Sequence, residues 1–470
     1  MQGQRNSIQK RFASQVEYTT GPKAGEQTKR IPQDTIAEEG VQPGSGSKIS
    51  GSEFNHVINY LLQEARDAFV SRVDSFRPVN ANDTDFSWHV GAGRHPSNGQ
   101  ILVFADDTSG NFNGLYGIAP DGSSINFINS WAGPGISHFS HAFVQTPNTG
   151  DKGPGLYVTT CDSTDVRWFM LVGGKADNNW DTISNDTIWS ANDAGAFVSG
   201  CYDSFNDVVI FLNVFGSVNC DWVSIPDGVA SPTATTGNFA ITAGAAHDEV
   251  QVCCDDAGNA VAAFRDITND EFRTYHSSDG GLTWTQKANF NFSTDGDDRH
   301  LCDCGFYPDG LHITRTAGTG DDTTYEGPCH VFLTHTTTNG AIAVFVTQDN
   351  GATWQYHDFG DMVQGSSIAA GNKSVTAALL GEYVVRQHAN HAGNSGAITL
   401  TSMKNFGSFA VNTGGSVGPD RLWTDEEGTR IFCGSGVDGE PMFMTGAITA
   451  PRGWQGPFTA SGYLTPLDRD

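Results

Sequence analysis

Ser277-Ser278-Asp279-Gly280-Gly281-Leu282-Thr283-Trp284 and Thr347-Gln348-Asp349-Asn350-Gly351-Ala352-Thr353-Trp354 are two copies of one phrase, S/T-x-D-x-G-x-T-W. Each copy follows a strand-like run, residues 272–276 or 341–346. An aspartate followed two positions later by a glycine predicts a turn, because the carboxylate accepts backbone N–H bonds and glycine adopts positive φ. The tryptophan then begins the next strand and packs inward. The phrase therefore predicts two hairpins of one kind.

The two copies resemble the Asp-box of sialidase-type β-propellers. In that family the box closes the hairpin between the third and fourth strands of a blade. The residues that carry the resemblance are Ser277, Asp279, Gly281, Thr283, Trp284, Thr347, Asp349, Gly351, Thr353 and Trp354. The motif indicates a fold and does not indicate catalysis.

Weaker copies of the phrase occur near positions 121, 177, 227, 405 and 452. A strand-like run recurs in the same register, at 101–104, 156–158, 208–211, 260–264, 311–313, 383–385 and 430–432. Seven copies of a four-strand unit predict an all-β chain folded as a seven-bladed β-propeller. Six blades remain the alternative, if the last copy is only a closing strand. The longest step, between Asp279 and Asp349, indicates an insertion around 318–327.

The first residues break this pattern and predict a different organisation. Residues 1–51 are polar and poor in large apolar side chains, so they lack the means to form a core. Residues 52–77 are predicted as a helix, 78–85 as a linker, and 86–470 as the propeller. The helix has one apolar face, made of Phe54, Ile58, Leu61, Leu62, Ala65 and Phe69. This face either packs on the propeller or joins copies of the chain, and we expect the second.

A tail without a core, a short oligomerising helix and an all-β body resemble tail-fibre or appendage proteins of tailed bacteriophages. The resemblance implies that residues 1–51 dock on another virion protein and that the chain is a homotrimer. It also implies that the C-terminal body binds or cleaves host-surface glycans. Because the N-terminus shows no secretory signal, we expect a virion protein made in the host cytoplasm.

The composition excludes some classes of function. The formal net charge is −27, from 26 basic and 53 acidic residues, so direct binding of nucleic acid is not expected. The sequence has no run of 18 apolar residues, so no membrane span is expected.

Cysteines and acidic loops are the candidate metal ligands. Most of the nine cysteines lie in apolar strand contexts, which predicts buried free thiols in a reducing compartment. Cys302-Asp303-Cys304 is the alternative metal site, although no second pair has zinc spacing. The acidic stretches 295–299 and 321–322 have oxygen ligands suited to Ca²⁺, but no EF-hand register. We therefore expect no cofactor, with Ca²⁺ as the alternative.

The resemblance to sialidases also implies candidate catalytic residues. That family clamps a carboxylate with three arginines and uses a tyrosine nucleophile paired with a glutamate, plus an aspartate acid/base. The matching candidates are Arg265, Arg315, Arg386, Tyr325, Glu326 and Asp106. Each of the three arginines falls at the end of a recurring second-strand run, in three consecutive repeats. The alternative is that they form ion pairs with neighbours such as Asp266. The family's Phe-Arg-Ile-Pro motif is absent from the first blade, which favours a protein that is not an enzyme.

The sequence therefore predicts a phage tail appendage whose propeller binds a host-surface glycan or receptor. A glycoside hydrolase of sialidase type is the first alternative. A purely structural tail or nozzle subunit is the second.

Overall fold

The chain divides into two compact units, residues 1–69 and 70–470. The computed structural model describes parts of the second unit only: residues 73–78, 86–94, 100–107, 112–118, 125–132, 142–146, 155–161, 166–173, 180–190, 197–214, 218–227, 232–241, 247–291, 299–314, 322–336, 342–359, 375–380, 383–391, 395–403, 408–412, 423–424, 430–433 and 442–446. The predicted tail and the predicted helix up to residue 72 lie outside these ranges. Within them, no helix is long and apolar enough to cross a membrane.

The described residues are almost entirely β-strand. In chain order the strands are β1 (Val73–Pro78), β2 (Phe86–Arg94), β3 (Ile101–Asp107), β4 (Phe112–Ile118), β5 (Ile125–Ala132), β6 (Ala142–Gln145), β7 (Gly155–Cys161), β8 (Val166–Gly173), β9 (Trp180–Ser190), β10 (Phe197–Asp203), β11 (Val208–Val214), β12 (Asn219–Pro226), β13 (Thr235–Ala240), β14 (His247–Cys254), β15 (Ala260–Asp266), β16 (Glu271–Ser277), β17 (Thr285–Gln286), β18 (Phe290–Asn291), β19 (Arg299–Tyr307), β20 (Gly310–Thr314), β21 (Asp322–Glu326), β22 (Cys329–Thr336), β23 (Ile342–Thr347), β24 (Gln355–Asp358), β25 (Val375–Leu380), β26 (Tyr383–His391), β27 (Ser395–Ser402), β28 (Ser408–Asn412), β29 (Trp423–Thr424), β30 (Arg430–Cys433) and β31 (Met442–Gly446).

These strands form antiparallel sheets in which strands that follow one another in the chain are neighbours. Six sheets in chain order are β2–β5, β6–β9, β10–β13, β14–β17 with β18 added to β16, β19 with β22–β24, and β25–β28. We call them sheets 1 to 6. A further sheet has the order β1-β31-β30-β29, and β20 pairs only with β21. Each of the first six sheets thus comes from one stretch of chain, whereas the last joins both ends of the described region.

The pairing of β1 with β31 corrects the C-terminal end of the helix predicted over 52–77. Residues 73–78 are extended and pair with 442–446, with Phe76 opposite Met444 and Pro78 opposite Met442. Pairing with a distant strand here overrides the local helical spacing of apolar residues. Pro78 is tolerated because it ends a strand at the edge of the sheet. The sheets therefore begin at residue 73 and not at 86, where the sequence placed the start of the propeller.

The apolar core lies between successive sheets. On β11, Val209 and Phe211 pack towards sheet 2, whereas Ile210 and Leu212 pack towards sheet 4. Alternate residues of a strand point to opposite faces, and both faces of this strand are covered. That explains why β11 reads as an unbroken apolar run, Val-Val-Ile-Phe-Leu, without polar alternation. A third cluster joins sheets 4 and 5, where Phe272 packs with Phe345.

Both copies of the repeated phrase form tight turns between the third and fourth strands of a sheet. Asp279 Oδ1 accepts the N–H groups of Leu282 and Thr283 at 3.1 and 2.9 Å, and its Oδ2 accepts the Thr283 hydroxyl at 2.5 Å. Asp349 bonds Thr353 in the same way, at 2.8 Å to its N–H and 2.6 Å to its hydroxyl. Gly281 and Gly351 have φ of 81° and 85°. The aspartate and the glycine thus act as the sequence predicts.

The inner strands of sheets 3 to 6 are joined by side chains that bond to the next sheet. The Ser199 hydroxyl on β10 accepts the Val252 N–H of β14 at 3.1 Å and donates to Gln251 at 3.2 Å. Gln251 in turn donates to the Cys302 carbonyl of β19 at 3.3 Å. Asp303 on β19 accepts the Leu379 N–H of β25 at 2.8 Å. These bonds fix neighbouring sheets against each other near their first strands.

Candidate functional site

A buried polar cluster surrounds Arg265, the first of the predicted arginines. Its Nη1 atom lies 3.3 Å from Oε1 of Glu249 and 2.8 Å from Nδ1 of His300. His300 Nδ1 also contacts the same carboxylate oxygen. The Leu301 N–H donates to Oε2 of Glu249 at 2.7 Å. Arg265 is 5% exposed and lies opposite Glu249 within sheet 4, and its contact with His300 of β19 links sheets 4 and 5.

The partner of Arg265 differs from the neighbour that the sequence suggested. Asp266, the next residue, pairs instead with Arg273, whose Nε and Nη2 each lie 3.0 Å from Oδ2. Asp266 also accepts the side-chain amide of Asn269 at 2.8 Å. Burial acts to raise the pKa of Asp266, but the bonds from Asn269 and Arg273 outweigh it and hold the pKa below its ordinary value. Arg265 and Asp266 point to opposite faces of β15, as adjacent strand residues do.

The three arginines do not occupy equivalent positions. Arg265 is next to the end of β15, the second strand of sheet 4. Arg386 lies within β26, opposite Ala377 and Thr399, and not at the end of that strand. Arg315 follows β20, which pairs only with β21, and itself lies outside the described residues. The prediction that three second strands end in an arginine is therefore wrong.

The reason for this error is the inserted hairpin in sheet 5. The apolar run 311–313 resembles a second strand in spacing, but it forms β20 of the β20–β21 pair. The second strand of that sheet is β22. The inserted hairpin consists of β20 and β21, so it begins before the stretch around 318–327 where the sequence placed the insertion. The side chain of Arg386 and that of Asp106, near the end of β3, lie outside the described residues.

Tyr325 and Glu326 do not form the predicted nucleophile pair. The Tyr325 hydroxyl donates to Gln355 Oε1 at 2.9 Å and also contacts His357 Nε2, both on β24. Burial raises the pKa of Tyr325 well above its ordinary value. Glu326 is exposed and, as the next residue of β21, points to the other face. Tyr325 thus fastens the inserted hairpin to the outermost strand of sheet 5.

The predicted metal ligands have other partners where they are described. The Asp303 carboxylate is buried and accepts the N–H groups of Cys304 and Leu379 at 2.9 and 2.8 Å. In the described part of the chain, no group of three or more His, Cys, Asp or Glu side chains is arranged to hold a metal ion. Of the acidic stretches considered for Ca²⁺, 295–298 and residue 321 lie outside that part.

The repeated turns mark one end of the sheets, which we call the box end. Hairpins between first and second strands also lie at this end, because antiparallel strands alternate in direction. The turn 203–207 of sheet 3 meets two turns of sheet 4. A Cβ on Gly258 would lie 2.9 Å from Phe205 Cδ1, and one on Gly280 would lie 3.5 Å from Asn206 Cβ. At this end Phe205 is 68% exposed and Leu282 is 44% exposed.

The turn that presents Phe205 is held by Asp203, which is fully buried. Its Oδ1 accepts the N–H groups of Phe205 and Asn206, each at 3.0 Å, and its Oδ2 accepts the Asn206 amide at 2.7 Å. An exposed aromatic side chain is thus carried on a turn with fixed backbone bonds.

The sequence reasoning missed Glu249, His300 and Phe205. The sequence pattern could have identified Glu249. The polar residues His247, Glu249 and Gln251 occupy alternate positions of β14, which pairs with β15. Polar residues at alternate positions of an inner strand indicate polar bonds across to a neighbouring sheet. Phe205 had a signal as well, since an aromatic residue in the turn Asp203-Ser-Phe-Asn-Asp207 is not needed for the turn chemistry.

No protein-family model matches the sequence, and comparison with curated proteins gives no match. Solved structures with similar folds include a mutant of the Aleuria aurantia lectin in complex with α-methyl-L-fucoside, at 12% identity and TM-score 0.40, covering 71% of this chain and 99% of that one. The WD40 domain of SCAP from fission yeast has 8% identity and TM-score 0.43, covering 80% and 98%. A Hadza microbial sialidase has 9% identity and TM-score 0.38, covering 74% and 73%. At these scores the similarities support no conclusion about a shared ligand or activity.

Proposed function

We propose that the chain is a bacteriophage tail appendage and that its β-sheet body is a seven-bladed propeller that binds a host-surface glycan or receptor. The blade count is supported by the sheet order. The first strands of sheets 1 to 6 contact one another in sequence, and β29 contacts β2. In this proposal β1 is the outer strand of the seventh blade and closes the ring through β31.

The contacts of Arg265 favour a binding function over a hydrolytic one. A carboxylate clamp presents forked N–H donors to an incoming ligand. Arg265 is instead buried against Glu249 and His300, with Nη1 3.3 Å from the carboxylate. Tyr325 is likewise held by Gln355 and His357. The arrangement favours a scaffold that binds through its turns, with exposed side chains such as Phe205 at the box end.

The place in the virion and the assembly are also proposals, and they rest on the sequence. Residues 1–51 would dock on another virion protein, and the apolar face from Phe54 to Phe69 would join three copies of the chain. A mass measurement of residues 1–72 fused to a monomeric carrier tests the assembly. A trimeric fusion supports it, and a monomeric fusion contradicts it.

The binding function is tested with the purified full chain on a glycan array and as a competitor of phage adsorption. We expect binding to a restricted set of host glycans and reduced adsorption. A chain that is present in virions but neither binds nor competes would be a structural subunit instead. Release of sugar from a fluorogenic sialoside by the purified chain would point to a hydrolase and overturn the proposal.

A further inference from the structure

Two cysteine thiols meet between sheets 3 and 4. Cys201 is on β10 and Cys254 ends β14, which are the first strands of these sheets. Their Sγ atoms lie 2.8 Å apart, although the residues are 53 positions apart in the chain. Each side chain is 8% exposed. The contact is therefore a non-local one that joins two sheets that share no strand pairing.

A second thiol contact lies on the other side of β14. Cys253 points to the opposite face from Cys254, and it packs in the core between sheets 4 and 5 with Cys304 of β19. A hydrogen bond between these two thiols, together with burial, raises the pKa of Cys304. The inner strand β14 is thus in contact with a thiol of each neighbouring sheet.

We propose that Cys201 and Cys254 form a disulfide that links sheets 3 and 4 when the protein meets a small-molecule disulfide such as oxidised glutathione. One protein thiolate attacks a sulfur of oxidised glutathione, which releases one glutathione thiolate and leaves a mixed disulfide. The second protein thiolate then attacks the protein sulfur and releases the second glutathione. The two cysteines lose two protons and two electrons, and oxidised glutathione is reduced to two thiols.

The geometry favours this bond over other pairings of the thiols. A disulfide has an S–S length of about 2.05 Å, so the two Sγ atoms need to approach by less than about 1 Å. A link of this kind restrains the unfolded chain across the intervening residues and thereby stabilises the fold.

Burial controls when the bond forms. The thiolate is the reactive species, and burial raises the pKa of both Cys201 and Cys254 above its ordinary value. The reaction therefore waits for local opening of the inner strands, so we expect it to take hours and not seconds. The inference concerns the stability of the sheet system and does not depend on the proposed glycan binding.

The test uses the full chain, equilibrated in buffers of increasing oxidised-to-reduced glutathione ratio and then blocked with an alkylating agent. Cleavage on the N-terminal side of aspartate places Cys201 in 193–202, Cys220 in 207–220, and Cys253 with Cys254 in 248–254. We expect a linked pair of 193–202 and 248–254, also in the Cys253→Ser variant. The melting temperature of the oxidised protein should exceed that of the reduced protein.

The matched variants are Cys201→Ser, Cys254→Ser and Cys220→Ser, all at buried thiols of the same core. The first two should lose the difference in melting temperature between oxidised and reduced protein, and the third should keep it. The wild-type peptide map stays decisive if a variant fails to fold. A link of 248–254 to the Cys304 peptide alone, or no link at any ratio in the folded protein, would overturn the proposal.

Discussion

Nη1 of Arg265 lies 3.3 Å from Oε1 of Glu249, and both side chains are less than 10% exposed. Removing one partner of a buried pair leaves an uncompensated charge, at a cost of about 3–5 kcal/mol. We therefore expect Glu249→Leu to lower the free energy of unfolding by that order, measured by urea denaturation. The double variant Glu249→Leu, Arg265→Met should recover much of the loss, because no charge is left buried.

Arg273→Met provides the comparison for that pair. Arg273 bonds Asp266 and Glu271, but without it Asp266 would keep the Asn269 side-chain amide and two backbone N–H groups. Its effect should be smaller than that of Glu249→Leu. Two outcomes would mean that Arg265 and Glu249 do not act as a pair. One is an equal loss of unfolding free energy in Arg273→Met and Glu249→Leu. The other is a double variant no more stable than Glu249→Leu.

The strand β1 gives a second prediction, about closure of the sheet system. A chain that begins at Val70 retains the pairing of 73–78 with 442–446, whereas a chain that begins at Val79 lacks it. We expect the shorter chain to unfold at a lower urea concentration. We also expect it to aggregate, because the edge of β31 becomes exposed. Urea denaturation and light scattering measure the two effects.

A synthetic peptide of residues 70–80 is the control for this truncation. Added to the shorter chain, it should restore part of the stability by pairing with β31. Identical unfolding of the two truncated chains would show that β1 contributes nothing to the body.

The turn glycines provide a third prediction with a matched pair. Gly281 and Gly327 have φ of 81° and 85°, so alanine at either costs about 1 kcal/mol of backbone strain. A Cβ on Gly281 would also lie 2.9 Å from Cγ2 of Ile210, whereas nothing lies within 4 Å of one on Gly327. Gly281→Ala should therefore lower the free energy of unfolding by about 1–3 kcal/mol more than Gly327→Ala does.

Ile210→Ala tests whether the added loss in Gly281→Ala is steric, because alanine removes all three Ile210 atoms that approach the added Cβ. Ile210 belongs to sheet 3 and the turn to sheet 4, so the contact joins two sheets. Combined with Gly281→Ala, the smaller side chain should make the total loss in urea denaturation less than the sum of the two single losses. Additive losses in the double variant would contradict a steric contact.

The strand pattern was predictable because it depends on local chemistry. Aspartate and glycine in the repeated phrase specify a turn whatever surrounds it, and the turns at 279 and 349 are where the phrase places them. Six of the seven predicted second-strand runs lie within the second strand of a sheet in the described residues. The seventh, 311–313, failed because an inserted hairpin repeats the same spacing.

The partners of the polar side chains were not predictable from local sequence. Whether Arg265 bonds Asp266 or Glu249 depends on which face of β15 it occupies and on which residue of the paired strand β14 lies opposite it. The same holds for residues 73–76, where a distant strand decides between helix and sheet. Spacing along the chain carries no information about contacts made between sheets.

Phe205 provides a fourth prediction, about binding. It is 68% exposed at the box end, so Phe205→Ala should leave the free energy of unfolding unchanged within about 0.5 kcal/mol. We expect glycan or receptor binding to weaken at least tenfold, because exposed aromatic side chains often dominate an interface. Ile267→Ala, 44% exposed in the hairpin between β15 and β16 at the other end, is the control and should bind normally. Weaker binding by Ile267→Ala alone would move the binding surface to that end.

His330 provides the last prediction, about pH. Its ring is 2% exposed and packs on Phe306 at 5.2 Å between centroids. Burial lowers the pKa to about 4 from 6.5, against the opposing effect of Asp255 and a bond with the Asn259 backbone. Between pH 6.5 and about pH 4, the imidazole is therefore protonated in the unfolded chain but neutral in the folded chain. Stability should be full above pH 6.5, fall by up to about 3 kcal/mol towards pH 4, and then level off with respect to this group.

Urea denaturation at pH 7 and pH 5 measures this loss in wild type and in His330→Gln. His276, whose pKa burial also lowers, titrates in the same window, so the difference between proteins is what counts. Burial acts to raise the pKa values of Asp279 and Asp349, but their turn bonds hold these values below the ordinary 3.8. Protonation of these two carboxylates therefore lowers stability only below the pH range of this test. His330→Gln should lose less stability between the two pH values than wild type. If the stability of His330→Gln depends on pH as that of the wild type does, the buried His330 ring is not the group responsible for the loss.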